Sequence, residues 1–139
     1  MTVARLGTDS EYLMVSGWPE AGVPTQAEVR LSLGGLTATT TIEAHWSGGF
    51  ADLAAYFNDL ESNWRGWKGT KTWKSIEGDL ILSAQHVSGR MQLRVTIERP
   101  RLDPGNDVWK AVGDMTIELG EELSQVARDI AAFSSGSQA

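Results

Sequence analysis

The two histidines are the starting point for any catalytic chemistry, because the chain of 139 residues has no cysteine. Thiol nucleophiles, disulfides and thiolate metal ligands are thereby excluded. His45 follows Glu43 by two positions, so on a strand both side chains point to one face, where the carboxylate could orient the imidazole as a general base. A small hydrolase or another ligand-processing enzyme could use this pair. Two solvated strand positions explain the same residues, and we favour that interpretation.

Motifs for metal or phosphate binding are missing from the sequence. It contains no His-x-x-x-His, no Glu-x-x-His and no loop of alternating Asp and Asn residues closed by Glu. Gly48-Gly49 precedes a predicted helix, but without a lysine at phosphate-loop spacing we interpret it as a helix entry. His86 is predicted to pack near the end of a hairpin, opposite Met91. We therefore expect no catalytic residues, no metal and no cofactor.

A cluster of aromatic and basic residues is the strongest candidate for binding. Trp64, Trp67 and Trp73 are interleaved with arginine and lysine, and such a surface can stack bases or sugars. Alternatively, the tryptophans close the core while the cations lie in solvent. We favour this second interpretation, because Trp64 continues an apolar helical stripe. If the segment does bind a partner, the predicted binding residues of the chain are Trp67, Trp73, Arg65, Lys71, His45 and Arg94.

Composition limits the class of protein and of partner. The length suits one domain, and 41% hydrophobic with 22% charged residues is typical of a globular chain. Twelve basic residues against 18 acidic ones give a net charge of −6, which disfavours binding to nucleic acid or to an anionic membrane. No window approaches the ~18 apolar residues of a membrane span. We predict a cytoplasmic, non-membrane protein.

Two hairpins can be predicted with their registers. Apolar and polar residues alternate on both sides of Gly34-Gly35, so that a primed two-residue turn pairs Leu33 with Leu36 and places all apolar side chains on one face. The same argument across Ser88-Gly89 pairs Val87 with Arg90. Further strands are predicted over Tyr12–Ser16, Thr72–Ile76 and Trp109–Leu119, the last with Gly113 as a bulge, and Val3–Leu6 is ambiguous.

Two helices complete the predicted architecture. Apolar residues recur at helical spacing from Phe50 to Trp64, after Ser47 as a cap, and again beyond Gly120. The resulting order is β-β-β-α-β-β-β-β-α. We predict an α+β fold: one curved antiparallel sheet of about seven strands with two helices packed on its apolar face. Residues 1–133 would form a single domain and residues 134–139 a flexible C-terminal tail.

A tryptophan-glycine motif gives the chain a resemblance to a known family. Trp64-Arg65-Gly66-Trp67-Lys68-Gly69 and Trp73-Lys74-Ser75-Ile76-Glu77-Gly78 follow the pattern W-x-G-W-x-G…W-x-S-x-E-G, and a late Trp109 precedes Leu119-Gly120-Glu121-Glu122-Leu123. Over about residues 12–133 the chain resembles small uncharacterised bacterial proteins known only as a domain of unknown function. The resemblance implies a bacterial, non-secreted protein and no particular catalytic residue.

The function that these observations favour is binding without catalysis. A protein or small-molecule partner would dock on the polar sheet face, which carries threonines and Arg94, or at a rim formed by Trp67 and Trp73. Small acidic domains of this kind include immunity-type inhibitors of secreted toxins. A free sheet edge would also allow a homodimer.

Overall fold

The computed structural model describes residues 2–17, 23–99 and 107–136. Four strands come first: β1 (Thr2–Gly7), β2 (Tyr12–Gly17), β3 (Gln26–Leu33) and β4 (Leu36–Glu43). Helix α1 (Ala51–Ser62) leads to β5 (Thr70–Lys74), β6 (Leu80–Val87), β7 (Arg90–Glu98) and β8 (Lys110–Glu118), and helix α2 (Glu121–Ser135) follows. Each set of four strands forms its own antiparallel sheet in sequence order.

The α+β class is confirmed, but the eight strands form two sheets rather than one sheet of seven. The ambiguous segment near the N-terminus is a full strand, β1, paired with β2 along its length. After β4 the chain enters α1 instead of returning to the same sheet, so β4 and β5 do not pair. The two sheets approach each other at β4 and β7 and at β1 and β8, while α2 lies along β1 and contacts β8 and α1.

Both predicted hairpin registers are confirmed. Leu33 pairs with Leu36 and Val87 pairs with Arg90, and the pairs that follow continue in the same register along each hairpin. Ser88 and Gly89 both have positive φ, 51° and 78°, as a type I′ turn requires. The first turn is not of the predicted primed type, because only one of its two glycines, Gly35, has a positive φ. A two-residue loop therefore fixes the register with either turn geometry.

Gly113 lies in an unbroken ladder opposite Val95, so the predicted bulge is wrong. A Cβ at this position would overlap the Cδ1 atom of Leu33 and lie 3.2 Å from Cδ2 of Leu31, both from β3. The glycine thus allows the two sheets to approach closely. Close approach of another element is the second common reason for a glycine within a strand.

Helix α1 buries Leu53, Tyr56, Phe57 and Leu60 on one face. It is shorter than predicted, because it ends at Ser62 and leaves Trp64 beyond the helix with 51% of its surface exposed. The N-cap is Phe50, whose side chain makes no capping hydrogen bond, so the predicted cap at Ser47 is also wrong. The hydroxyl of Ser47 instead lies against His45.

Helix α2 extends two residues into the segment predicted as a tail and ends at Gly136, which adopts the left-handed conformation. Residues 137–139 lie outside the described part of the chain, as do 18–22 and 100–106, which fall almost entirely in the loops that proline and glycine predict for residues 19–26 and 100–107. In the ranges that the structure describes, no helix has the length and apolar character needed to cross a membrane.

Candidate functional site

The two predicted binding tryptophans are anchored by their own indole nitrogens. Trp73 is only 8% exposed, and its Nε1 donates to Oδ2 of Asp52 at 3.1 Å. Trp67 is half-buried and donates to the carbonyl oxygen of Ala84 at 3.2 Å. Its ring meets the ring of His86 edge-on at 5.4 Å, which agrees with the packed position predicted for this histidine. Both tryptophans therefore use their polar group within the fold.

The predicted basic residues divide between the fold and the solvent. Lys71 is half-buried, and its Nζ pairs with Oδ2 of Asp59 at 2.8 Å. The carbonyl of Lys71 accepts a hydrogen bond from the hydroxyl of Tyr56 at 2.9 Å, and burial, with Asp59 nearby, raises the pKa of Tyr56 well above its usual range. Arg65 is exposed and lies over the Trp64 ring at 5.2 Å.

His45 holds a tight turn that presents Trp46 to solvent. The backbones of His45 and Gly49 exchange two hydrogen bonds, of 3.0 and 2.9 Å, and the N–H of Ser47 donates to Nδ1 of His45 at 3.1 Å. Trp46 stacks on the imidazole at 5.5 Å and is 87% exposed. The carboxylate of Glu43 accepts a hydrogen bond from Gln26 at 2.7 Å. The side chain of His45 thus bonds within its own turn, whereas the side chain of Glu43 bonds to Gln26.

A polar concave surface lies on the outside of the β5–β8 sheet, and we call it the outer cavity. Its volume is about 420 Å³. The lining side chains, drawn from all four strands, are Thr70, Ser83, Gln85, Gln92, Arg94 and Asp114. Within this lining Arg94 makes a bidentate pair with Asp114, with Nε to Oδ1 at 2.8 Å and an outer nitrogen to Oδ2 at 3.1 Å. Such paired bonds fix both side chains in one plane.

The ion pair also sets the charge state of this surface. The hydrogen bonds between the two groups lower the pKa of the Asp114 carboxyl and raise the pKa of the Arg94 guanidinium. Next to the pair, the side-chain amide of Gln85 donates to the hydroxyl of Thr70 at 3.0 Å. The outer cavity therefore carries fixed charges of both signs among uncharged hydrogen-bonding groups.

A second concave surface, of about 440 Å³, shares Asp114 with the outer cavity and continues toward α2. It is acidic, because its lining also includes Glu11, Glu118 and Glu122. Glu118 pairs with Arg90 at 3.1 Å, while burial, reinforced by Glu118, raises the pKa of Glu122. Among the residues that the structure describes, no three histidine or carboxylate side chains lie close enough together to hold a metal ion.

The structure does not gather the six predicted binding residues at one place. Arg94 lies in the outer cavity, whereas His45 lies in the turn after β4, in the other half of the chain. The predicted polar face is also two faces, since the threonines at 37, 39 and 41 belong to β4, in the first sheet. Thr96, predicted on the polar side, is buried.

Most of the outer cavity was not predicted from the sequence. The alternation of β6 and β7 places Ser83 beside Arg94, so the polar side of these two strands could have been assembled from the predicted register. Asp114 pairs with Arg94 across β7 and β8, which are joined by a long connection that does not fix a register. No signal in the sequence identifies this pair.

These features define an α+β protein built from two antiparallel four-stranded sheets and two helices, with an exposed polar concave surface on the second sheet. Residues 13–137 match the family of unknown function DUF6228, and the chain belongs to this family. The resemblance to a domain of unknown function is thereby confirmed. No curated protein and no solved structure matches the chain.

Proposed function

We propose that this protein is a non-enzymatic binding module that recognises a partner protein through the outer cavity. The observation that carries the proposal is the bidentate Arg94–Asp114 pair, exposed in the lining of a concave surface that also carries hydroxyl and amide groups. The pair is held in one orientation, and the groups around it can donate and accept hydrogen bonds. A partner surface with complementary polar groups would find them already positioned.

The chemistry of the outer cavity supports a protein partner over a small apolar ligand. Pockets for small molecules are mostly lined by hydrophobic and aromatic side chains. Here all six lining residues are polar or charged. The neighbouring acidic surface and the net charge of −6 would attract a basic partner and accelerate its encounter. We therefore propose that the partner presents arginine or lysine toward Glu118 and Glu122.

An immunity-type inhibitor in a bacterial cytoplasm is the special case that we propose to test first. It is supported by the small acidic chain and by a concave surface with an entirely polar lining. The gene beside this one would then encode a toxic domain whose basic surface fits the acidic side of the outer cavity. A neighbouring gene for a metabolic enzyme would contradict this special case.

The test compares two exposed arginines, each on an inner strand of its sheet. Arg94→Ala removes the positive charge of the outer cavity and its bonds to Asp114, whereas Arg30→Ala removes a positive charge from β3 in the first sheet. Binding of the co-expressed product of the neighbouring gene is measured by calorimetry, after capture experiments from the native host with the same two variants. Arg94→Ala should weaken binding about tenfold or more, as for a central charged residue of an interface.

Arg30→Ala is the matched control and should bind with the affinity of the wild type. Equal affinity of the Arg94→Ala variant and the wild type would refute the outer cavity as the binding surface. Absence of any captured partner with the wild type, from the host or from co-expression, would refute the binding module itself.

A further inference from the structure

Within the part of the chain that the structure describes, strand β4 is an open edge of the first sheet. It is the last strand in the order β1-β2-β3-β4 and pairs with β3 over eight consecutive residues. From Leu36 to Ile42 it contains no charged residue and no proline, and its register has no bulge. Proteins commonly protect exposed edges with those three devices, because unpaired backbone groups on an edge invite another strand. This edge has none of them.

The backbone groups on the open side belong to the threonines whose side chains face solvent. A two-residue hairpin loop closes on a hydrogen-bonded pair, here Leu33 and Leu36, and every second residue after that pair again bonds to β3. The N–H and C=O groups of Thr37, Thr39 and Thr41 therefore point away from the sheet. All three side chains are exposed.

The other sheet edges of the described chain are protected. Strand β1 is flanked by α2 and β8. Strand β5 has only five residues, two of which are Lys71 and Lys74, and α1 reaches it through the Tyr56 hydroxyl. Strand β8 carries Lys110, Asp114 and Glu118, and it lies near β1. Strand β4 also lies near a strand of the other sheet, β7, but unlike β5 and β8 it carries no charged residue between Leu36 and Ile42.

We propose that two copies of this chain pair through their β4 strands, antiparallel about a two-fold axis at Thr39, to form one continuous eight-stranded sheet. In this register Thr39 lies opposite the partner's Thr39, and Thr37 lies opposite the partner's Thr41. Three such hydrogen-bonded pairs supply about six backbone hydrogen bonds. Threonine facing threonine is a favourable cross-strand pair.

The occupant is a second copy because the edge is complementary to itself and carries no charge from Leu36 to Ile42, while Glu43 at its end would lie opposite the uncharged turn of the partner. Two chains of net charge −6 repel each other, so their contact must avoid like charges. The nearest exposed charge beside the axis is Arg30, opposite Thr39 on β3. Its distance from the partner's Arg30 spans three strand spacings, about 14 Å, which exceeds the screening length of about 8 Å in physiological salt.

The oligomeric state measured against concentration tests the pairing. Contact along one strand buries less area than a standard interface, so the dimer should dissociate over about 1–100 µM. Sedimentation equilibrium of the wild type over that range should show a shift from the 15.1 kDa mass of one chain to twice that mass. Thr39→Lys places two ammonium groups opposite each other at the axis and should weaken the dimer at least tenfold.

Two further variants separate edge pairing from loss of the fold. Thr39→Pro removes a donor on the open side and leaves the bonds to β3 in place, so it should also give a monomer with an unchanged circular dichroism spectrum. Thr72→Lys, at an exposed position of β5, is the matched control and should dimerise like the wild type.

Two results would overturn the proposal. One is a wild type that stays monomeric at every concentration. If Thr39→Lys then abolishes capture of a different protein, the edge binds that protein and not a second copy. The other is a Thr39→Lys variant, folded by circular dichroism, that dimerises as tightly as the wild type.

Discussion

Replacement of Trp73 by phenylalanine should destabilise the protein without touching a binding surface. The indole N–H donates to the carboxylate of Asp52, and the ring is 8% exposed, so the variant loses a charge-assisted hydrogen bond between a buried ring and an exposed carboxylate. A hydrogen bond to a charged group contributes about 1.5–3 kcal/mol, and solvent around the exposed Asp52 lowers this to about 1–2 kcal/mol. The smaller ring leaves unfilled volume, which adds about 1 kcal/mol. We expect the free energy of unfolding to fall by about 2–3 kcal/mol.

The assay is urea denaturation followed by far-ultraviolet circular dichroism, because the chain has six tryptophans and the substitution removes one fluorophore. Trp46→Phe is the control, since Trp46 is 87% exposed and a surface change of this kind should alter the free energy by less than about 0.5 kcal/mol. The ratio of the two effects tests whether Trp73 is part of the core and not of a recognition surface.

A double-mutant cycle with Asp52→Ala isolates the hydrogen bond from the loss of packing. Asp52 also accepts from the N–H of Leu53 at 2.9 Å, so its single substitution has a cost of its own, which the cycle subtracts. We expect a coupling energy of about 1–2 kcal/mol between Trp73 and Asp52. A coupling below about 0.3 kcal/mol would refute the bond. Weakened partner binding at unchanged stability would refute the structural role of Trp73.

Two other predictions concern packing and charge. Gly17→Ala would place a Cβ against the buried ring of Phe133, overlapping Cε2 and lying 3.1 Å from Cζ, and should lower the free energy of unfolding by about 1–3 kcal/mol in thermal denaturation. The control is Gly48→Ala, where a Cβ would lie in open space and should change stability by less than about 0.5 kcal/mol. Equal effects of the two substitutions would contradict the close contact. Because Arg94 lowers the pKa of Asp114, the ion pair contributes stability above the unfolded-state pKa of Asp, about 3.9, and loses it as pH falls through the lower folded-state value. The nuclear magnetic resonance titration midpoint of the Asp114 carboxyl should therefore rise in Arg94→Gln, and an unchanged midpoint would show that the pair does not form in solution.

The hairpins show how far local pattern reaches. Residues two apart on a strand share a face, and a two-residue loop leaves one pairing, so the sequence around Gly34-Gly35 and Ser88-Gly89 was enough to predict both registers. The helix over residues 51–62 followed from apolar spacing in the same way, but its end did not. Trp64 continues the spacing, yet the helix stops two residues earlier. Spacing alone does not determine where a helix ends.

The tryptophan segment shows where local pattern fails. Trp67 and Trp73 among basic residues fit an exposed, base-stacking surface and an anchored core equally well, because the pattern does not include the acceptors. Those acceptors, the carbonyl of Ala84 and the carboxylate of Asp52, lie 17 and 21 positions away in sequence. Only the packing of α1 and β6 against this segment brings them within hydrogen-bonding distance.

By itself, the amino-acid sequence determined the type of every element except β1, the pairing of both tight hairpins and, apart from Thr96, the polar side of the hairpin strands, because these depend on neighbouring residues. The tertiary structure decided that the strands divide into two sheets, that Gly113 serves a close contact with Leu33 and that Asp114 meets Arg94. These features join residues separated by a helix or a long connection, so no local period or turn length specifies them. The outer cavity and the open β4 edge arise from that division into two sheets.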